Sequence, residues 1–178
     1  MATPQPNRAR RHGLSIVEML IALALVAALL TAVGAALHAS IQSYSENDEL
    51  AAVTQSARSI MNRMAKEIRS SEDVSSTSTS LTILPAADGS GVQEIKYELA
   101  GGKLNYHVKT AGTWATHVLL GDTDDRVRVT AFSVNRVMGT DATGQACTKT
   151  ASVKLTFAID NQSFTLTASG SPRRNQLF

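Results

Sequence analysis

Apolar and polar positions follow two different periods along this chain, and the change of period divides it. From Leu14 to Leu37 the sequence is apolar on every side for 24 residues, with Glu18 as the only charge. As a helix this run would be about 36 Å long, against a bilayer core of roughly 30 Å. Beyond it, Leu50, Val53, Ala57, Ile60, Met61, Met64 and Ile68 recur at spacings of three and four. That is one apolar stripe on an amphipathic helix, with Arg58, Arg63, Lys66, Glu67 and Arg69 largely outside it. No proline interrupts the chain from Leu14 to Pro85, so one helix is expected from Leu14 to about Ser71. Gly34 is its weak point, at a cost of about 1 kcal/mol.

After the helix the period changes to two. The Ser- and Thr-rich stretch from Ser70 to Ser80 is expected to be a loop, because such side chains compete for backbone hydrogen bonds. Strands are then expected at Leu81–Leu84, Val92–Leu99, Lys103–Lys109, Thr113–Leu120, Arg126–Val137, Ser152–Asp160 and Ser163–Ala168. Alternation is clearest in V-R-V-T-A-F-S-V and V-K-L-T-F-A-I, as for sheets with one covered face. Gly101-Gly102 and Asp160-Asn161-Gln162 carry hairpin chemistry. Asp88 to Gly91 and Gly139 to Gly144 should be loops. An amphipathic sheet needs a cover, and the only long apolar stripe available is on the second half of the helix. The expected fold is therefore α+β: a long N-terminal helix spine, membrane-spanning in its first half, with an antiparallel β-sheet packed on its outer half. The expected organisation is a polar leader 1–13, a transmembrane segment 14–37, an amphipathic continuation 38–73 and a β-rich domain 81–178.

Charge changes the picture in one respect. The net charge of +2 and pI near 8.9 could indicate a nucleic-acid binder. Without Arg8, Arg10 and Arg11, however, the 17 basic residues become 14 against 15 acidic ones. The basicity thus flanks the apolar run, which places the N-terminus in the cytoplasm and the domain after Glu46, Asp48 and Glu49 across the membrane. No phosphate loop or aromatic-basic alternation occurs, so no nucleic-acid partner is expected.

The candidate chemistry is sparse. Cys147 is the only cysteine, which precludes an intrachain disulfide, and no Cys/His cluster has zinc spacing. His38, His107 and His117 are scattered with no nucleophile pattern beside them. Asp122, Asp124 and Asp125 crowd one turn but lack the glycine and distal glutamate of a calcium loop. Arg173 and Arg174 read as a solvated basic tail. The G-A-A-L-H-A-S segment resembles a signal-peptidase site with a cut after Ala39, but the 24-residue run exceeds a 7–15-residue h-region. No catalytic residue, metal or cofactor is expected. Glu18 stands apart, since an acid near mid-helix in lipid costs roughly 2.5–3.5 kcal/mol and less near the interface. Taken alone it can also be read as an interfacial acid that stays hydrated.

The stretch R-A-R-R-H-G-L-S-I-V-E-M-L-I-A-L-A-L-V-A-A-L-L resembles the class III signal of type IV pilins and type II secretion pseudopilins. The basic leader corresponds to Arg8–Arg11, the cleavage-site glycine to Gly13, the following hydrophobic residue to Leu14 and the fifth-position glutamate to Glu18. The resemblance implies cleavage by a prepilin peptidase between Gly13 and Leu14, N-methylation of Leu14, and pairing of Glu18 with a neighbouring subunit's new amine. It further implies a non-catalytic minor pilin or pseudopilin, J-like or W-like, in a tip or priming complex. Its partners would be other pilin or pseudopilin subunits, the peptidase and an inner-membrane assembly platform. Its place would be the bacterial inner membrane, with one span and a periplasmic domain, and then the pilus or pseudopilus. Leu14 replaces the usual Phe, and Gly34-Ala35 stands where many members have a helix proline. The competing expectation is a single-pass anchored module whose β-domain binds an extracellular ligand.

Overall fold

The computed structural model describes residues 15–87, 89–121, 126–140 and 144–173. Two compact units are present, Met1–Asp48 and Glu49–Phe178. A single helix, α1, runs Ile16–Ser70, and the boundary between the units falls within it. Among the described residues eight strands follow: β1 Ser71–Ser76, β2 Ser80–Pro85, β3 Val92–Ala100, β4 Lys103–Thr110, β5 Thr113–Leu120, β6 Val127–Thr140, β7 Ala146–Ile159 and β8 Gln162–Gly170. The α+β class is as the pattern implied, with the helix packed on sheet. The strands form two antiparallel sheets rather than one: a five-stranded meander, β1-β2-β3-β4-β5, and a three-stranded sheet, β6-β7-β8.

In the second unit the predicted stripe is the buried face of the helix. Ala57, Ile60, Met61, Met64, Ala65 and Ile68 are buried, and Leu50 and Val53 are half-buried against the same core. Val74, Leu81, Ile83, Tyr97 and Leu104 meet this face from the first sheet, and Val153, Leu155 and Phe157 from the second. The close approach to β8 needs Gly170, where a Cβ would lie 3.0 Å from the Ala65 carbonyl oxygen and from Ile68 Cγ2.

The Ser70–Ser80 stretch is not a loop. The helix ends at Ser70, and Ser71–Asp73, expected in the helical continuation, pair in β1 with β2. Ser70 and Ser71 hydroxyls donate back to the Glu67 and Ile68 carbonyls at 3.1 and 2.7 Å, relieving orphan acceptors of the last turn. Val74 then enters the core with no exposure. Thr77 closes the hairpin, its N–H donating to the Ser80 carbonyl at 2.9 Å and its Oγ1 accepting from the Ser80 N–H at 3.1 Å. The hydroxyl side chains that disfavour helix serve a tight turn between two short strands.

The second sheet also departs from simple alternation. A bulge between Val129 and Ala131 turns Phe132, rather than Ala131, into the core. β6 and β7 extend to Thr140 and back to Ala146, farther than their apolar content indicated. The predicted Asp88–Gly91 loop lies between β2 and β3, with Asp88 outside the described residues. The two sheets are tied at β1. The Val74 carbonyl accepts from Thr148 Oγ1 at 3.0 Å and Arg136 Nη1 at 2.9 Å, while Arg136 Nε donates to Ser76 Oγ at 3.1 Å. The Gly101-Gly102 turn has both residues at positive φ, 59° and 73°, as a two-residue hairpin requires.

A polar lock joins the last helical turns to the first sheet. The fully buried Tyr97 donates its hydroxyl to Glu67 Oε2 at 2.6 Å, and Arg63 Nε donates to Glu67 Oε1 at 2.8 Å. The Arg63 guanidinium sits 4.1 Å over the Tyr106 ring, whose centroid is 5.1 Å from that of Tyr97. Burial first, and then the Glu67 charge, push the Tyr97 phenol well above its ordinary range.

Candidate functional site

The residues that carried the sequence argument lie at the start of α1. Ser15 is the N-cap: its hydroxyl accepts from the Val17 N–H at 3.3 Å and its carbonyl from the Met19 N–H at 3.1 Å. Glu18 falls three residues later, in the first turn, in the S-x-x-E order of a capping box, although its carboxylate does not close the box. A carboxylate there also faces the positive end of the helix dipole. In lipid Glu18 is a cost, and its place beside the helix N-terminus, signalled by the letters Ser15-Ile16-Val17-Glu18, offsets part of it. Glu18 is exposed, and among the described residues it makes no hydrogen bond or ion pair with its own chain. Gly13 and Leu14, the predicted cleavage pair, lie outside the described residues.

The stem beyond Glu18 offers lipid an unbroken apolar surface. The large apolar side chains from Ile16 to Leu37 are between 52% and 80% exposed. An 18-residue window of the helix reaches a mean hydropathy of 2.6 with nothing in it buried. Thr31, the polar residue farther along this stretch, donates its hydroxyl to the Ala28 carbonyl at 2.8 Å, so it brings no unsatisfied donor into an apolar medium. The helix continues through Gly34, which has open space where a Cβ would stand. His38 and Ala39, at the rejected signal-peptidase site, lie within the same continuous helix.

The weaker candidates do not converge. His107 on β4 pairs in register with Thr116, and His117 on β5 pairs with Tyr106, so the two imidazoles occupy opposite faces of the sheet. Cys147 is half-buried on β7 opposite Gly139. Arg173 is exposed, while Arg174 and Asp122, Asp124 and Asp125 lie outside the described residues. Among the described residues no group of three or more His, Cys, Asp or Glu side chains could hold a metal.

One comparison matches this part of the sequence. Residues 8–34 carry the prokaryotic N-terminal methylation motif, the class III prepilin signal typical of type IV pilins and pseudopilins. The match spans the basic flank, the N-cap, Glu18 and most of the apolar stem. The motif and the single apolar helix together support membrane anchoring through one span and processing as a prepilin. They point to a structural subunit that assembles with other pilin subunits. No curated protein and no solved structure matches the chain.

Proposed function

We propose that this chain is a minor pilin or pseudopilin, anchored in the bacterial inner membrane until it joins a type IV pilus or type II secretion pseudopilus. The observation that carries the reading is the methylation motif over residues 8–34 on a stem whose one acid, Glu18, has no partner in its own chain among the described residues. In this reading residues 1–13 are the leader, 14–37 cross the membrane, and the β-rich domain from 81 onward lies in the periplasm. A prepilin peptidase cuts between Gly13 and Leu14, where glycine presents the backbone without a side chain, and methylates the Leu14 amine. The mature chain then starts with a positive charge at the membrane edge, one residue before Ser15 and four before Glu18. Glu18 of one subunit and the Leu14 amine of the next neutralise each other in a medium that penalises either charge alone. Assembly is thereby favoured in the register that brings the two together. We place the subunit in a tip or priming complex raised by an inner-membrane assembly platform.

Mass spectrometry of membrane-extracted protein from cells with and without the peptidase tests this reading. The expected product begins at Leu14 and is heavier by one methyl group, only where the peptidase is present. An intact Met1, or a terminus created after Ala39, in peptidase-competent cells would remove the reading. Either result would favour the single-pass anchored binding module, in which the helix is an anchor and nothing more.

A further inference from the structure

The register of β3, β4 and β5 assembles a polar cluster on the face of the first sheet opposite the core. Lys96, His107 and Thr116 form one row across the three strands, and Lys109 and Trp114 are partners in the adjacent row. Their sequence neighbours Ile95, Tyr97 and Tyr106 are buried on the other face. Lys96, Glu98, His107 and Trp114 line a shallow, open cavity of about 280 Å³.

Each group in this cavity is held in place. Lys96 Nζ lies 3.1 Å from Glu98 Oε1, and His107 Nδ1 is 2.8 Å from Thr116 Oγ1. His107 meets the Trp114 ring edge-on at 6.4 Å, and Lys109 Nζ sits 5.7 Å over that ring. Trp114, the chain's only tryptophan, remains 43% exposed. One atom is left unserved: His107 Nε2 is shielded from solvent and hydrogen-bonds to nothing among the described residues. Its nearest charged neighbour, Glu98 Oε2, is 3.5 Å away. Glu98 serves that nitrogen as an ion pair only when the ring is protonated. A shielded ring nitrogen with no hydrogen bond is costly in the free protein and is relieved by a ligand group that can reach it.

The geometry points to a binding subsite for a neutral saccharide ring on this face. The part of the half-exposed indole that Lys109 leaves uncovered offers an apolar surface to the C–H face of a pyranose. Beside it stand a carboxylate that accepts from hydroxyls, an ammonium that donates to them, and the imidazole nitrogen. Lys96 and Glu98 share the lining and Lys109 stands over the indole, so an anionic ligand meets Glu98 and a cationic one meets two lysines. A neutral polyhydroxyl ring meets neither repulsion. The open shape suits one residue of a longer glycan passing over the sheet, with affinity on the order of 1 mM for a single ring.

Trp114 fluorescence of the full chain in zwitterionic lipid nanodiscs, free of glycoside detergents, is the direct test. The titrants are the methyl glycosides of glucose, galactose, mannose and N-acetylglucosamine, then a neutral oligosaccharide, with an uncharged Ser/Thr peptide as the rival. The subsite predicts a saturable change with at least one glycoside, weakened roughly tenfold in Glu98→Ala and in His107→Ala. A tighter response to the oligosaccharide than to its monosaccharide assigns the natural ligand to a polymer; equal responses assign it to a free sugar. Saturation-transfer NMR on the glycoside extends the test to Trp114→Ala, which removes the fluorophore and should remove the transfer. The idea is overturned if no glycoside saturates by about 50 mM, where a 1 mM site would be full. It is equally overturned if both variants titrate like the parent, or if the peptide saturates the signal and the sugars do not.

Discussion

Replacing Tyr97 with phenylalanine isolates a single hydroxyl in the contact between the helix and the first sheet. The ring stays in its fully buried site and its packing on Tyr106 is kept, so the loss is the 2.6 Å hydrogen bond to Glu67. Bonds of that length to a carboxylate contribute about 1.5–3 kcal/mol. Glu67 keeps Arg63 at 2.8 Å in the variant, so the acid is not orphaned and the cost should be about 2 kcal/mol. Glu67→Ala strands the buried hydroxyl and releases Arg63, for about 2–4 kcal/mol. The two side chains share one bond, so the double variant should cost about 1–2 kcal/mol less than the sum of the single ones. Urea unfolding of the full chain in nanodiscs, followed by Trp114 fluorescence, measures all four corners, because Trp114 lies on β5 in the same unit as the lock. A coupling within about 0.3 kcal/mol of zero, the usual error of additivity, would refute the lock.

The same tyrosine sets an alkaline limit. Burial and Glu67 raise its pKa above the unfolded value of about 10, so its contribution is complete below pH 10 and is lost as pH rises through the folded value. Unfolding free energy should fall by up to about 1.4 kcal/mol per pH unit above pH 10 on account of this group, and the slope should flatten in Tyr97→Phe. Met64→Ala should destabilise the second unit by about 2–5 kcal/mol, because Met64 is wholly buried, whereas Leu29→Ala should change its urea midpoint by less than about 0.5 kcal/mol equivalent. Gly121→Ala should cost about 1–3 kcal/mol, since Gly121 has φ +101° and a Cβ there would lie 2.9 Å from the Gly102 carbonyl oxygen that accepts from the Val129 N–H.

What could be read from the letters follows from how local each determinant is. The stem and stripe were legible because a helix writes its faces every three or four residues, and every residue of the predicted stripe from Ala57 to Ile68 is buried. Most strands were legible through their period of two. β1 was not, because Val74 is its one large apolar residue and its serines fit loop and strand alike. The division into two sheets was also hidden, since alternation reveals that a strand has a covered face but not which neighbour it pairs with. The bulge at Val129–Ala131 is likewise invisible to a strict period. At the stem, Ser15 and Glu18 stand three positions apart, the S-x-x-E order that marks a helix start. On the outer sheet face, Lys96, His107 and Trp114 stand far apart in sequence and meet only through the β3–β4–β5 register.

In the proposed assembly Glu18 acts between subunits rather than within one. Its position in the first helical turn gives it a local role that alanine would also remove, so the measurement must separate processing from assembly. Filaments sheared from cells carrying the parent chain or Glu18→Ala are collected, and the amount of this chain in them is compared with the amount of Leu14-terminated, methylated chain left in the membrane. Equal processing is expected for both, with Glu18→Ala retained in the membrane and depleted from filaments by at least roughly tenfold, about 1.4 kcal/mol of lost pairing. Glu18→Ala found in filaments in proportion to its processed pool would contradict that role.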